Sequence, residues 1–177
     1  MKKIIGLLTF ILLGVASFAA TFEKPILLTS VGQSADVQMV KILLKRAKIE
    51  STFDKVVTED GLKDSKTLIL AIGGSSKGLG AAGIKVEDEV ARAEKLIDAA
   101  KAKGIKIIGL HIGGEARRGN LSDKFVNVAA NKCDKLIVVD SGNKDGLFDT
   151  IAGENNIELI LIPKITAAVK PLEEAFN

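Results

Sequence analysis

The sequence TLILAIGGSSKGLGAAG, residues 67–83, decides the fold of this chain. Its first six residues are apolar except for Thr67, and a glycine-rich segment follows at once. A short, continuously apolar run is typical of a strand that is buried on both faces, as in a parallel sheet covered by helices. The stretch therefore predicts a central strand over residues 67–72, followed by a loop that extends to Gly83.

The same alternation of apolar run and helical segment repeats along the whole chain. Further strands are predicted over residues 26–30, 53–57, 105–112, 135–139 and 157–162. Residues at helical spacing predict the intervening helices, about 36–47, 86–103, 121–130, 146–152 and 166–176. We expect Ser34 to cap the first helix and Pro171 to kink or split the last. The pattern predicts one three-layer α/β domain with a doubly wound, mainly parallel sheet of the flavodoxin-like or Rossmann-like kind, in strand order 2-1-3-4-5-6.

The first twenty residues have the layout of a secretory signal peptide. Two lysines precede an apolar run from Ile4 to Val15, and Ser17 and Ala19 are small residues that suit a cleavage site after Ala19. The run is shorter than the roughly 20 residues that a membrane-spanning helix needs. We predict a cleaved leader over residues 1–19 and a single domain over residues 20–177. The mature protein is expected in the periplasm or outside the cell, without a membrane span.

Charge, cysteine content and aromatic content exclude several classes of ligand. The chain has 25 basic and 22 acidic side chains, and the leader contains two of the lysines, so the predicted mature protein has a net charge of +1. This balance argues against a nucleic-acid partner. No spacing of His, Cys, Asp and Glu indicates a metal site, and Cys133 is the only cysteine. Because the chain lacks tryptophan and tyrosine, a stacked sugar or flavin is disfavoured, and no cofactor is expected.

The glycine spacing in GSSKGLG, residues 74–80, resembles the cofactor loop of short-chain dehydrogenases. That family places its loop after the first strand and relies on a tyrosine, whereas this loop follows the third predicted strand and the chain has no tyrosine. The next predicted helix also opens with three carboxylates at residues 87–89, which would repel a pyrophosphate. The sequence therefore argues against dinucleotide binding.

Polar and glycine-rich segments follow the first, third, fourth and fifth predicted strands. Because the carboxyl ends of parallel strands share one edge of the sheet, these segments are expected to meet there. Glycines allow backbone amides to approach a ligand, and lysines and arginines would supply charge for a carboxylate or phosphate. We predict a site for a small anionic or polar metabolite, formed by Gln33, Gly73, Gly74, Ser75, Ser76, Lys77, Gly114, Arg117, Arg118, Asn143 and Lys144.

Two other functions are compatible with the sequence. His111, the only histidine, ends the fourth predicted strand and could serve a hydrolase or transferase as a base, together with Glu115 or a loop serine. It could equally be a core histidine that is bonded to the backbone. The glycine loops could also pack against a protein partner. Because no catalytic constellation is evident, we favour an extracytoplasmic binding protein that could serve a membrane transporter or sensor.

Three segments resemble those of a known protein family: GGSSKGLGAAGI (73–84), GLHIGGEARRGNLSDKF (109–125) and IVVDSGNKDG (137–146). The phrase GGEARRG within the second is fairly specific. Together they resemble a family of exported bacterial α/β proteins with no assigned activity, and the resemblance covers most of the predicted domain. It implies export and the same fold, and it assigns no catalytic residue, substrate or cofactor.

Overall fold

The computed structural model describes residues 21–177, and its six strands form one parallel sheet. The strands are β1 (Ile26–Val31), β2 (Thr52–Phe53), β3 (Thr67–Ile72), β4 (Lys106–His111), β5 (Lys135–Val139) and β6 (Glu158–Ile162). Their order across the sheet is β2-β1-β3-β4-β5-β6. This order confirms the predicted doubly wound α/β fold. The leader predicted over residues 1–19 lies outside the described residues.

Helices cover both faces of the sheet, so the domain has three layers. The helices that pack on the sheet are α1 (Asp36–Arg46), α3 (Val86–Ala102), α4 (Asn120–Ala129), α5 (Leu147–Asn155) and α6 (Val169–Ala175), and a short helix, α2 (Ser76–Ala82), follows β3. Helices α1 and α6 cover one face, and α3, α4 and α5 cover the other.

Strand β3 lies at the centre of the hydrophobic core. Its side chains alternate between the two apolar layers, with Leu68 and Leu70 under α3–α5 and Ile69 under α1 and α6. Every residue of this strand is buried. The continuous apolar run in the sequence is therefore explained by burial on both faces.

The glycine-rich segment after β3 forms helix α2, whereas its glycine-rich sequence predicts a loop. The Ser75 hydroxyl caps this helix by accepting a 3.0 Å hydrogen bond from the Gly78 amide, and the helix ends at Gly83 with a φ of +65°. Each glycine in a helix costs about 1 kcal/mol relative to alanine. The cap and the burial of Leu79 in the core explain why the helix forms despite its glycines.

The start of α1 differs from the prediction in its capping residue. The N-cap position is Ala35 rather than Ser34, and no side chain caps it. Ser34 lies one residue before this N-cap position. Its hydroxyl accepts a 3.1 Å hydrogen bond from the amide of Asp36, the first residue of the helix.

The last predicted helix is divided into two parts, as expected from its proline. A 3-10 turn covers Ile165–Ala168, and α6 continues from Val169. Pro171 lies in the first turn of α6, where the missing N–H is not required by an intrahelical hydrogen bond. Across residues 21–177, no helix combines the length and the hydropathy needed to cross a membrane.

Candidate functional site

The loops that follow the strands lie together at the carboxyl edge of the sheet and contact one another. Gln33, after β1, forms an isolated antiparallel bridge with Gly74, after β3. The Gly74 amide donates to the Ser122 hydroxyl at 3.0 Å, and Leu121 packs so closely that a Cβ on Gly74 would lie 2.8 Å from it. Gly74 is therefore enclosed by protein atoms.

Arg117 connects three of these loops. Its Nε donates to Asp36 Oδ2 at 2.9 Å, which joins the loop after β4 to the start of α1. Its aliphatic stem covers Gly73, where a Cβ would lie 2.9 Å from Arg117 Cγ. Gly73 is thus required for the close approach of the arginine, and the guanidinium is already paired with a carboxylate.

Arg118 holds the loop after β5. It forms ion pairs with Asp123 at 2.7 Å and Asp145 at 2.8 Å, and it donates to the Gly142 carbonyl. These carboxylates raise the pKa of Arg118 above its usual value. The hydrogen bond from Arg118 lowers the pKa of Asp145 to about 2. Both groups therefore remain charged across the physiological pH range.

Asn143 and Lys144 have different structural environments. Asn143 is buried, and its side-chain oxygen accepts a 2.8 Å hydrogen bond from the Phe148 amide at the start of α5. Lys144 is exposed and donates to Glu115 at 2.6 Å. That hydrogen bond lowers the pKa of Glu115. Lys144, like the two arginines, is thus paired with an acidic side chain.

The remaining predicted residues at this edge belong to α2. Ser75 is half-buried and caps the helix, whereas Ser76 and Lys77 are exposed in its first turn. Lys77 forms no salt bridge with any residue in the range 21–177. Of the four predicted cations, Lys77 is therefore the one that the protein's own carboxylates leave uncompensated in the described part of the chain.

His111 is fully buried at the end of β4. Its Nδ1 lies 3.0 Å from the Ile72 carbonyl oxygen, and its ring packs on Phe148 with the centroids 5.1 Å apart. Because a carbonyl oxygen only accepts, Nδ1 carries the proton and Nε2 is an acceptor, which has no partner among the described residues. Burial lowers the pKa of His111. No hydrogen bond within residues 21–177 joins it to Glu115 or to a serine, so this geometry is that of a core histidine bonded to the backbone.

A buried ion pair under the β1 loop could not be identified from the sequence. Glu89 and Arg92 on α3 pair at 2.7 Å, and their side chains are 0% and 10% exposed. Glu89 also accepts from the Gly32 amide and from Gln33 Nε2, both at 2.9 Å. Gln33 is therefore fully buried and part of a structural network. The sequence offers no signal for this network, because Glu89 resembles the other first-turn carboxylates of α3.

A shallow, open depression of about 330 Å³ lies at the carboxyl ends of β4, β5 and β6. We call it the β4–β6 hollow, and it is lined by Ile112, Gly113, Gly114, Val139, Ser141, Lys164, Ile165 and Thr166. Gly114 has a φ of +60°, and a Cβ there would lie 2.5 Å from Ser141 Oγ. The lining also includes Lys164 and Thr166, which follow β6 and are not among the residues of the predicted site. The rule that ligands bind where parallel strands end could have identified them.

A larger groove of about 1480 Å³ crosses the opposite edge of the sheet, where the strands begin. It is broad and polar, and two of its charged residues, Lys106 and Asp134, pair with each other at 3.0 Å. Parallel α/β sheets bind ligands at the carboxyl ends of their strands. We therefore consider the smaller β4–β6 hollow the better candidate site.

Solved structures give only low similarity to this chain. A psychrotrophic esterase from Pseudoalteromonas sp., inhibited by monoethylphosphonate, is 12% identical with a TM-score of 0.34, over 85% of this chain and 92% of the esterase. A GDSL-like lipase from Bacteroides thetaiotaomicron is 12% identical with a TM-score of 0.35, over 77% of this chain and 66% of the lipase. AlinE4, an SGNH-hydrolase family esterase, is 10% identical with a TM-score of 0.34, over 89% of this chain and 85% of AlinE4. TM-scores this low carry no argument about this chain.

Sequence comparison is more decisive about the family than about the activity. No curated protein matches the sequence. The family DUF6305, described as a domain of unknown function, matches residues 23–176. This match confirms the resemblance to a family without an assigned activity, and it covers nearly all of the predicted domain. The chain is therefore a member of the DUF6305 family.

Proposed function

We propose that this protein binds a small carboxylate with a short apolar body in the β4–β6 hollow. The observation that supports this most directly is the lining of the hollow, in which Lys164 is the only charged side chain of the eight lining residues. A lysine at the margin of a mainly apolar depression suits an anion whose other atoms are apolar. The proposal narrows the small anionic or polar metabolite expected from the sequence to one ligand class.

The size and walls of the hollow limit the ligand further. A volume of about 330 Å³ is at the lower end of the roughly 300–1,000 Å³ that is usual for small-molecule sites. Ile112 and Val139 supply apolar surface, and the hydroxyls of Ser141 and Thr166 can donate hydrogen bonds to a carboxylate. A chain of a few carbons is the size of ligand that fits.

The predicted arginines have an indirect role in this proposal. Arg118 holds the Gly142 carbonyl, and Ser141, next to it, packs against Gly114. The walls of the hollow are thus fixed by ion pairs that lie outside it. Pre-organised walls reduce the entropy that ligand binding would otherwise cost. Arg118 therefore positions the site without contacting the ligand, and Arg117 packs against Gly113 of its lining.

We place this activity outside the cytoplasm, on the basis of the predicted leader. A binding protein of this kind could deliver its carboxylate to a membrane transporter or a sensor. Native mass spectrometry of the protein purified from its own cell envelope would test this directly, because a retained carboxylate would be identified by its mass.

The binding site itself can be tested by NMR titration of residues 20–177 with acetate, butyrate and hexanoate. Fluorescence quenching is unsuitable, because the chain has no tryptophan or tyrosine. We expect amide shift changes centred on Gly113, Gly114 and Thr166, with butyrate binding at least tenfold more tightly than the uncharged butyramide.

A pair of lysine variants provides the control. Lys164→Gln should weaken butyrate binding at least tenfold, because it removes the only charge in the lining. Lys77→Gln, at an exposed lysine of the same edge, should leave the affinity unchanged. Equal effects of the two substitutions, or shift changes confined to another face, would contradict the proposal.

A further inference from the structure

A second surface, on the outer side of α1, combines apolar and basic side chains. A groove of about 500 Å³ runs between this helix and the segment that follows it. We call it the α1 groove, and it is lined by Gln38, Lys41, Ile42, Lys45, Lys48, Ile49, Glu50 and Ser51. It lies on a different part of the molecule from the β4–β6 hollow and shares no residue with it.

The apolar part of the groove is open to solvent. Ile42, in the lining, is 45% exposed. Met39, on the same turn of α1 but outside the lining, is 39% exposed, and the two are among the four large apolar side chains that the described residues expose. The opposite face of α1 is buried in the core through Val37, Val40 and Leu44. The outer face therefore presents an apolar surface that the fold itself does not use.

The charged part of the groove is positive and lacks internal compensation. Within residues 21–177, Lys41, Lys45 and Lys48 form no salt bridge, although Lys41 lies 5.0 Å from the centre of the Phe53 ring. Glu50 is the only acidic residue in the lining. This contrasts with the carboxyl edge, where Arg117, Arg118 and Lys144 are paired with carboxylates of the protein. Three lysines around an exposed isoleucine are complementary to a negatively charged, partly apolar partner.

We propose that the α1 groove binds an acidic segment of a partner protein, with one apolar side chain between two carboxylates. The reach of the lysines supports an extended segment. Lys41 and Lys45 are one turn apart on α1, about 6 Å along its axis, and Lys48 lies beyond the end of the helix. Carboxylates two residues on either side of an apolar residue are about 13 Å apart in a strand, a span that the flexible side chains of these three lysines can cover. The apolar residue would contact Ile42 and Ile49.

Two observations favour a peptide over an anionic membrane. The surface has a depression between α1 and the segment that follows it, which offers a position for one side chain. The predicted mature protein has a net charge of only +1, which provides little long-range attraction to a membrane. The proposal is independent of the carboxylate site, since it concerns other residues.

Selection from a random peptide display library on immobilised residues 20–177 tests this proposal. We expect enriched peptides to carry Asp or Glu on both sides of a leucine, isoleucine or phenylalanine. Their affinity should fall several-fold between 50 mM and 500 mM salt, since exposed charge pairs are screened. Peptides without acidic residues, or no enrichment, would overturn the proposal.

Matched variants locate the binding surface. Replacement of the three groove lysines by glutamine should weaken the selected peptides at least tenfold, and Ile42→Ser should weaken them while the charge is unchanged. The control replaces Lys85, Lys95 and Lys103 of the exposed surface by glutamine, with the same change in net charge. A loss of equal size in the control, or binding of the domain to phosphatidylglycerol vesicles in place of the peptides, would refute the assignment.

Discussion

The buried ion pair between Glu89 and Arg92 allows a quantitative test of how the β1 loop is held. The carboxylate is 0% exposed and accepts four hydrogen bonds, two of them from Arg92 at 2.7 and 2.8 Å. Glu89→Gln keeps the shape of the side chain but leaves the guanidinium buried without a countercharge. Removing one partner of a buried pair typically costs about 3–5 kcal/mol of the free energy of unfolding.

The expected loss is at the lower end of that range, about 3 kcal/mol. Arg92 also donates to the carbonyl oxygens of Val57 and Ser30 at 2.7 and 2.6 Å, and these partners remain in the variant. With a urea dependence of about 2 kcal/mol per molar for a domain of this size, the unfolding midpoint should fall by about 1.5 M. Glu94→Gln, at an exposed glutamate of the same helix, should change the free energy of unfolding by less than about 0.5 kcal/mol.

Far-ultraviolet circular dichroism is the appropriate probe, because the chain has no tryptophan or tyrosine to report by fluorescence. A double-mutant cycle with Arg92→Met would isolate the pair. The double variant should be more stable than the sum of the single changes implies, by about 2 kcal/mol. Additive single effects, or a Glu89→Gln midpoint within about 0.5 M of the wild type, would refute the view that this pair fixes the loop.

Three further perturbations test other parts of the structure. Gly78→Ala should destabilise the domain by more than about 2 kcal/mol, because its Cβ would overlap a backbone carbonyl. Gly80→Ala, in open space on the same helix, should stabilise the domain by up to about 1 kcal/mol. Similar effects of the two substitutions in urea titrations would contradict this packing. Burial lowers the pKa of His111 below its value in the unfolded chain. The free energy of unfolding should therefore be constant above about pH 7 and fall as the pH decreases through about 6.5. The same dependence of stability on pH in His111→Phe would exclude His111 as its source. Gly114→Ala should lower the free energy of unfolding by about 1–2 kcal/mol because of its φ of +60°. Ser141→Ala in that background should recover only the part of the loss that comes from the contact between the new Cβ and Ser141 Oγ. Full recovery of stability would show that the backbone is unstrained.

The fold could be predicted because its determinants are local. Each residue of β3 is buried, and the continuous apolar run records that burial directly. The apolar spacing of α3 similarly reproduces its buried face, which includes Ala93, Leu96 and Ile97. Helix α2 was missed because its stability depends on contacts that are distant in sequence. Its glycines argue against a helix by propensity, and only the tertiary packing against Gln33 explains why Gly78 is required.

The candidate site was less predictable, since the residues that surround a charged side chain in the folded chain determine whether it is paired. The segments after the strands contain carboxylates as well as cations, including Asp36, Glu115 and Asp145. Arg117 pairs with a carboxylate 81 residues away in the sequence, and a list of loop residues cannot reveal that pairing. The rule for parallel sheets identified the correct edge, but it had to be applied to the segment after β6 as well, where Lys164 lies.

The close contact between Gly78 and the carbonyl of Gln33 also restricts how this end of the molecule can move. Helix α2 cannot move independently of the segment after β1, because its first turn packs directly against that segment. Any motion of α2 must therefore include both segments. Neither segment lines the β4–β6 hollow, so a ligand that needs more room there would have to displace Ile165 or Thr166 from its lining.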